Sequence, residues 1–553
     1  MSVYDEFQVV LDAPMEYNER FLMKILQDNK DTEYGRKYDF QNIHSVKEFQ
    51  EKVPVSVYDD YADYILRMTE NSEENLICSY PVNHYNKTSG TMGNPKRIPM
   101  SDESWRIYSR YTGGYLAELM EKLLDGKDWK CGKTLMMMEA KPKTAVLKCG
   151  ATYGAISEKT LLARKDTLEL YHSSPIEAFF PEAGTNTRYL HARFGLMDEN
   201  IVSIGGTFYS FFAELLRYIE TNWQMLVADI ESGTIDESVS MSDSVRKALQ
   251  GKIKPMPERA ARLREIFSQG FDEPFVPKVW PKFCYISGTG SAGFQVYADK
   301  IKEHYTGDGI TQLKFGISAS EGCMSLCYAA DTNNGVLIPD GMFYEFLPID
   351  AGDDFSQIVT LDGLEEGKDY ELIITNASGF YRYRMRDAIR VTGRYRNTPT
   401  IDFLYRIDKT VSIMGEKTTE IALQNAANET AKELGFDLVG FSMLPDLDAN
   451  PVCYRFYMEI ANNPGDIHPK EIRYVLERKL AAANPSMGDK VKKGICGATS
   501  IYFLEPETYM LYRDLMVSKG TAAGQVKPVV VIGNETQRKF FNGLTEYSAE
   551  VYK

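Results

Sequence analysis

Short apolar runs alternate with longer amphipathic stretches through most of this chain, and that alternation restricts its fold more than any other feature. "TLMMMEA" (134–140) and "NIVSIGGTF" (200–208) read as buried strands, and "FFAELLRYIETNWQMLVADI" (211–230) reads as a helix. Such alternation layers helices on a sheet, so residues 1–400 are expected to form one large α/β body. A surface helix is predicted from residue 18, where "NERFLMKILQDNK" spaces Phe21, Leu22, Ile25 and Leu26 behind Asn18 as a cap. Between 340 and 405 the pattern turns to strands, "MFYEFLPI", "DYELIITN" and "TIDFLYRI", which predicts a β-rich subdomain closing that body. After about 410 a compact α+β unit is expected. In it "VCYRFYMEI" (452–460) alternates like a half-buried strand. "PKEIRYVLERKL" (469–480) puts Ile472, Val475, Leu476 and Leu480 on one helical stripe, and "TYMLYRDLMVSKG" reads as a helix ended by Gly520.

At 553 residues the chain is too long for one ordinary core, which fits two units. Its 43% hydrophobic and 25% charged residues are those of a globular protein, and the formal charge of −15 argues against a general nucleic-acid binder. The N-terminal "MSVYDEFQVVLDAP" lacks the basic start and apolar run of a signal peptide, and no segment approaches the ~18 apolar residues of a membrane span. A cytoplasmic protein with no membrane partner is expected. The eight cysteines are scattered without a C-x-x-C pair. Cys323 and Cys327 would share one helix face at i, i+4, and core packing is the ordinary reading of two thiols without further ligands. None of the six histidines sits beside a nucleophile and an orienting carboxylate in a recognisable motif.

The stretch "YNKTSGTMGNPKRIPMS" (85–101) concentrates Thr88, Ser89, Gly90, Thr91 and Gly93 ahead of Lys96 and Arg97. Glycines let a polyanion reach main-chain N–H groups, hydroxyls donate further hydrogen bonds, and the Lys–Arg pair supplies charge. The spacing is not that of a Walker A loop, because Gly93 follows Gly90 by three and Arg97 stands where Ser or Thr belongs. Judged alone, the stretch is equally compatible with a solvated polar turn.

Taken in order, the segments resemble the Gretchen Hagen acyl-acid amido synthetases of the adenylate-forming superfamily, over residues 20–530. The resemblance is carried by "EKVPVSVYDDYADYI", "TSGTMGNPKRIP", "SPIEAFFPEAGT", "YISGTGSAGF", "FGISASEG", "FYEFLPI", "YELIITNASGFYRYRMRDAIRVTG", "FLYRIDKTVSIMGEKTTE" and "GTAAGQVKPVVV". It implies an α/β adenylate-forming fold, with a large N-terminal domain (1–405) holding the nucleotide and acid sites, a hinge at 406–409 and a small mobile C-terminal lid (410–553). The implied reaction uses ATP and Mg²⁺ to adenylate a small-molecule carboxylic acid, then passes the acyl group to an amine such as an amino acid. A coenzyme A ligase sharing the first half-reaction and a nucleotide-binding sensor are the alternatives, and a monomer or weak oligomer is expected.

The resemblance also assigns residues. Thr88, Ser89, Gly90, Thr91 and Gly93 would hold the β- and γ-phosphates, with Lys96 as a nearby cation. Glu321 would hold Mg²⁺, with Ser320 as an adjacent contact, and Ser287, Gly288, Thr289 and Gly290 would lie against the adenine. Asp387 would take the ribose diol, unless it is paired with Arg384, Arg386 or Arg390. Arg406 would lie near the ribose and phosphate, Asp408 would be the hinge, and Lys527 would stabilise charge during adenylation. Ile317 falls where an aromatic usually stacks on adenine, so either Phe315 substitutes or the contact is aliphatic. The segments 189–196 and 205–212 resemble those flanking the acid pocket, where Tyr and Phe suggest a flat or apolar acid.

Overall fold

The computed structural model describes residues 1–87, 96–141, 144–290, 294–407, 411, 413–414, 416, 418–461, 468–519, 521 and 526–548. The chain divides into two compact units, the first ending at Phe403 and the second beginning at Leu404.

Two helices, not one, open the chain. α1 (Val3–Asp12) is capped by the Ser2 side chain, and Pro14 begins α2 (Pro14–Asn29), where a first-turn proline forfeits no helical hydrogen bond. Asn18 is therefore not a cap. It is buried within α2 and donates through Nδ2 to Pro339 O at 2.8 Å and Met342 O at 2.7 Å. The predicted face of Phe21, Leu22, Ile25 and Leu26 is buried.

In the first unit, β1 (Val82–Lys87) and β2 (Arg97–Ser101) are antiparallel, in a four-stranded sheet with Thr152–Gly154 and Ala145–Val146. Next come β3 (Lys133–Met137), β4 (Ile201–Phe208), β5 (Tyr285–Thr289) and β6 (Thr311–Lys314), neighbours in that order in a parallel sheet. α3 (Thr187–Met197) and α4 (Tyr209–Ser232) share a core with it, and residues 201–206 of β4 are all buried, as a parallel strand covered on both faces requires. Parallel strands end on one rim, and the loops leaving β5 and β6 emerge there.

A six-stranded sheet follows. β7 (Phe343–Pro348), β8 (Asp369–Thr375), β9 (Tyr383–Tyr395) and β10 (Thr398–Arg406) lie in reverse order beside Gly335–Leu337 and Ser325–Leu326. Cys323 ends the short strand Gly322–Cys323 and Cys327 follows Ser325–Leu326, so the two thiols do not share a helix face. Both are buried among apolar side chains, and that burial pushes each thiol up to about 12.

The second unit holds α5 (Glu420–Leu434), α6 (Pro469–Ala483) and α7 (Thr508–Ser518), with β11 (Leu438–Asp446), β12 (Cys453–Ile460), β13 (Ser500–Leu504) and β14 (Thr545–Ser548) in one sheet in that order. The stripe Ile472, Val475, Leu476 and Leu480 of α6 is buried. β12 is buried on both faces, not one. Tyr454, Phe456 and Met458 fill one core and Tyr457 another, because β12 is an inner strand with apolar cover on each side. The expected terminator Gly520 lies outside the described residues.

A buried ion pair ties the helix Val46–Lys52 to the six-stranded sheet. Arg382 Nε lies 3.2 and 3.0 Å from the two Glu345 oxygens, and its Nη1 donates to Gln50 O at 2.8 Å and Val53 O at 2.9 Å. Glu345→Ala, which leaves that guanidinium buried without its carboxylate, should lower the stability of the first unit by about 3–5 kcal/mol. The double variant Glu345→Leu/Arg382→Met should recover most of the loss, read from urea unfolding midpoints. Asp402 on β10 predicts a pH effect. Its Oδ1 is buried with no hydrogen-bond partner, and burial raises the carboxyl to about 6. The folded chain thus binds this proton more tightly than the unfolded chain, and stability falls as pH rises from about 4 to about 6. Asp402→Asn should flatten that part of the melting-temperature profile and melt higher than the parent above pH 6.

Candidate active site

The end of β1 organises the first unit's site. Lys87 and Arg97 face each other across β1 and β2, so the residues between them leave and rejoin the sheet side by side. Thr88, Ser89, Gly90, Thr91 and Gly93 lie outside the described residues, as does the hinge residue Asp408. Lys96, on the return side, is exposed, with Nζ 4.9 Å from the centroid of the Tyr58 ring. Arg97 does not add its charge there. Its guanidinium donates to Glu70 Oε1 at 2.9 Å and Thr69 Oγ1 at 2.8 Å.

Ser320 and Glu321 are held by their main chain from two directions. Asn86, fully buried on β1, donates through Nδ2 to Ser320 O at 2.6 Å. Asn376, just after β8, donates through Nδ2 to Glu321 O at 3.0 Å, while its Oδ1 accepts from the N–H groups of Ser378 and Phe380 at 3.0 and 3.2 Å. Glu321 is half-buried, and the Tyr383 hydroxyl lies 3.5 Å from its Oε1. This frame holds Ser320 against Asn86, near the end of β1, and Glu321 against Asn376, near the end of β8. Asn86, Asn376 and Tyr383 carry no signature of their own. Asn86 stands one residue ahead of Lys87 at the foot of the glycine loop, and the other two fall within 370–393, the signals that could have marked them.

Ser287, Gly288 and Thr289 end β5 at the rim of the parallel sheet and Gly290 follows it, and Phe315 N donates to Gly288 O at 2.8 Å, which ties them to the segment running on to Glu321. The glycines serve the chain's own aromatic rings. A Cβ at Gly288 would stand 3.0 Å from the Phe212 ring, and one at Gly290 would stand 2.9 Å from the Tyr209 ring. Phe315 lines a small apolar void with Leu116, Leu119, Met120, Leu313 and Cys327. Ile317 is half-buried, its N–H donating to Ser325 Oγ at 2.8 Å.

Asp387 is buried on β9, next to Arg386, whose φ of 57° marks an irregularity in the pairing with β8. Arg384 meets Glu371 with two hydrogen bonds of 3.0 and 2.6 Å and Asp353 with one of 2.7 Å, and Arg390 meets Asp369 at 2.7 and 2.9 Å. Residues 189–196 are core. Tyr189 donates to Asp229 Oδ2 at 2.6 Å and Arg193 to Asp229 O at 2.9 Å. In the segment 205–212, Phe208 is half-buried and stacks on Phe294 at 4.6 Å.

Arg406 and Lys527 belong to the second unit, and both are exposed. Lys527 projects from a segment pinned to β11, where Met443 N donates to Val530 O and Ile532 N to Met443 O, each at 2.8 Å. Among the described residues, no group of three or more His, Cys, Asp or Glu could hold a metal ion. A single half-buried carboxylate such as Glu321 suits an ion that keeps most of its shell as phosphate and water oxygens. No helix among the described residues is long and apolar enough to cross a membrane.

Three sequence profiles match along the chain: the GH3 family N-terminal domain over residues 3–310, its central domain over 335–406 and its C-terminal domain over 421–536. The chain is 28% identical over 552 residues to an indole-3-acetic acid-amido synthetase, GH3.8, of Oryza sativa subsp. indica, a match covering 95% of this chain and 88% of the relative. Among solved structures it is similar to GH3.15 acyl acid amido synthetase, with a TM-score of 0.85 at 24% identity over 99% of this chain and 96% of the other. The adenylate-forming fold also appears in a 2-hydroxyisobutyryl-CoA ligase bound to 2-HIB-AMP in its postadenylation state, with a TM-score of 0.56 at 14% identity over 95% and 90% of the two chains. Since the N-terminal profile alone spans more than half of the 553 residues and the other two follow it in order, the chain belongs to the GH3 family.

Proposed function

We propose that this chain is an ATP-dependent ligase that adenylates a carboxylic acid and transfers the acyl group to an amine, most simply an amino acid. The observation that carries the reading is the frame of Asn86 and Asn376 around Ser320 and Glu321, at the foot of a glycine, serine and threonine loop. The names of the similar proteins, amido synthetases for indole-3-acetic acid and for acyl acids, support the amide as product.

In the first step a carboxylate oxygen attacks the α-phosphorus of ATP, an acyl–phosphate bond forms, and pyrophosphate leaves with the electron pair of the broken bond. In the second an amine nitrogen attacks the activated carbonyl carbon, AMP departs, and the nitrogen gives up a proton to leave an amide. Thr88, Ser89, Gly90, Thr91 and Gly93 would donate to the departing phosphates, with Lys96 as their cation. Glu321 would hold Mg²⁺, which supplies charge neutralisation to the triphosphate. Asp387 would accept the ribose hydroxyls, with Arg406 near the phosphate. Ser287, Gly288, Thr289 and Gly290 would face the adenine on the side away from Tyr209 and Phe212. Because Phe315 lines a void elsewhere, the remaining base contact falls to Ile317. Lys527 would meet the charge that develops on the α-phosphate, brought there by rotation of residues 410–553 about the hinge at 406–409 and Asp408. We further read the chain as cytoplasmic and as a monomer or weak oligomer.

The test is acid-dependent pyrophosphate release from Mg–ATP across pools of aromatic, aliphatic and steroidal acids. Glu321→Ala and Lys527→Ala should each lower release by about 100-fold, the scale of one preorganised electrostatic contact. The active acid should then yield an amide with one or more amino acids and no thioester with coenzyme A. Release without any acid requirement, or thioester formation in place of amide, would sink the proposal.

A further inference from the structure

Tyr58 joins the β1–β2 connection to the strand that carries Tyr383. Its hydroxyl grips both main-chain groups of Arg97, accepting from the N–H at 3.0 Å and donating to the carbonyl at 3.4 Å. Its ring lies 4.9 Å from the Lys96 ammonium. The chain two residues earlier is fixed to β9, because Ser56 N donates to Arg382 O and Arg384 N to Ser56 O, each at 2.9 Å. Those bonds flank Tyr383, whose hydroxyl reaches Glu321. Burial holds the Tyr58 phenol above its ordinary value, against the Arg97 contact that lowers it. One side chain therefore touches both the first residue of β2 and the cation just ahead of it.

We propose that Tyr58 is a positioning residue for the phosphates of ATP: its hydroxyl fixes where the glycine loop rejoins β2, and its ring holds the Lys96 ammonium in place. The proposal rests on the ligase reading above. Neither role needs Tyr58 to touch the nucleotide. Arg97 cannot substitute for Lys96, since its guanidinium is committed to Glu70 and Thr69.

The test compares Tyr58→Phe and Tyr58→Leu in the full chain, by calorimetric binding of Mg–ATP, by the KM values for ATP and for the acid, and by thermal melting. Tyr58→Phe keeps the ring and loses the grip on Arg97, and should weaken ATP binding about three- to tenfold. Tyr58→Leu loses both and should weaken it a further two- to fivefold, roughly the scale of an exposed cation–π contact. In both, the acid KM should stay within about twofold and the melting temperature near that of the parent, where a merely structural role would move the latter. Lys96→Ala should cost less in the Tyr58→Leu background than in the parent, because the two act as a unit. ATP binding unchanged in both variants, or additive effects of Tyr58→Leu and Lys96→Ala, would overturn the assignment. Parent chain that binds Mg–ATP without releasing pyrophosphate would overturn the ligase reading alone, and parent chain that binds none would overturn both.

Discussion

Two buried amide side chains hold the centre of the first unit. Asn86 and Asn376 come from different sheets, and each gives its N–H to a consecutive carbonyl at Ser320 and Glu321. A carboxylate in a Gly/Ser loop would ordinarily sample many positions, and ordering it costs conformational entropy. Fixing the peptide on both sides removes part of that freedom before any ligand arrives. The parallel sheet supplies the other fixed edge through the Phe315 N–Gly288 O bond.

Much of the architecture was legible in the sequence because it rests on short-range periodicity. The runs at 134–140 and 200–208 became β3 and β4, and the stripe of α6 is buried as its spacing indicates. The misreadings share a cause, which is that a local pattern had two physical solutions. Asn18 has the composition of a cap, but Pro14 starts the helix earlier and leaves the asparagine to bond two carbonyls from inside. Cys323 and Cys327 have helical spacing, but their neighbours pair as strands. β12 alternates, yet its second face is covered too, a fact that belongs to the sheet order and not to the strand.

For the site, glycines, hydroxyls and single charges near a loop suggested an anion, and the resemblance proposed roles for them. The residues that hold them in place stayed hidden, since each acts through one polar atom across a long separation. Asn86 reaches a residue 234 positions away and Asn376 one 55 positions away, distances over which no single-sequence pattern extends. The charge of Arg97 was the opposite case. It is plain in the sequence and spent elsewhere in the fold, on Glu70.

The crowding behind Gly288 and Gly290 carries a consequence for how this loop can change. With Phe212 and Tyr209 pressed against the positions where Cβ atoms would stand, those glycines answer to the first turn of α4 as directly as to whatever lies in front of them. Substitution at 288 is therefore coupled to ring size at 212, and substitution at 290 to ring size at 209. A library that recodes the loop alone samples mostly unfolded solutions; one that recodes loop and helix together explores the same chemistry with the packing intact.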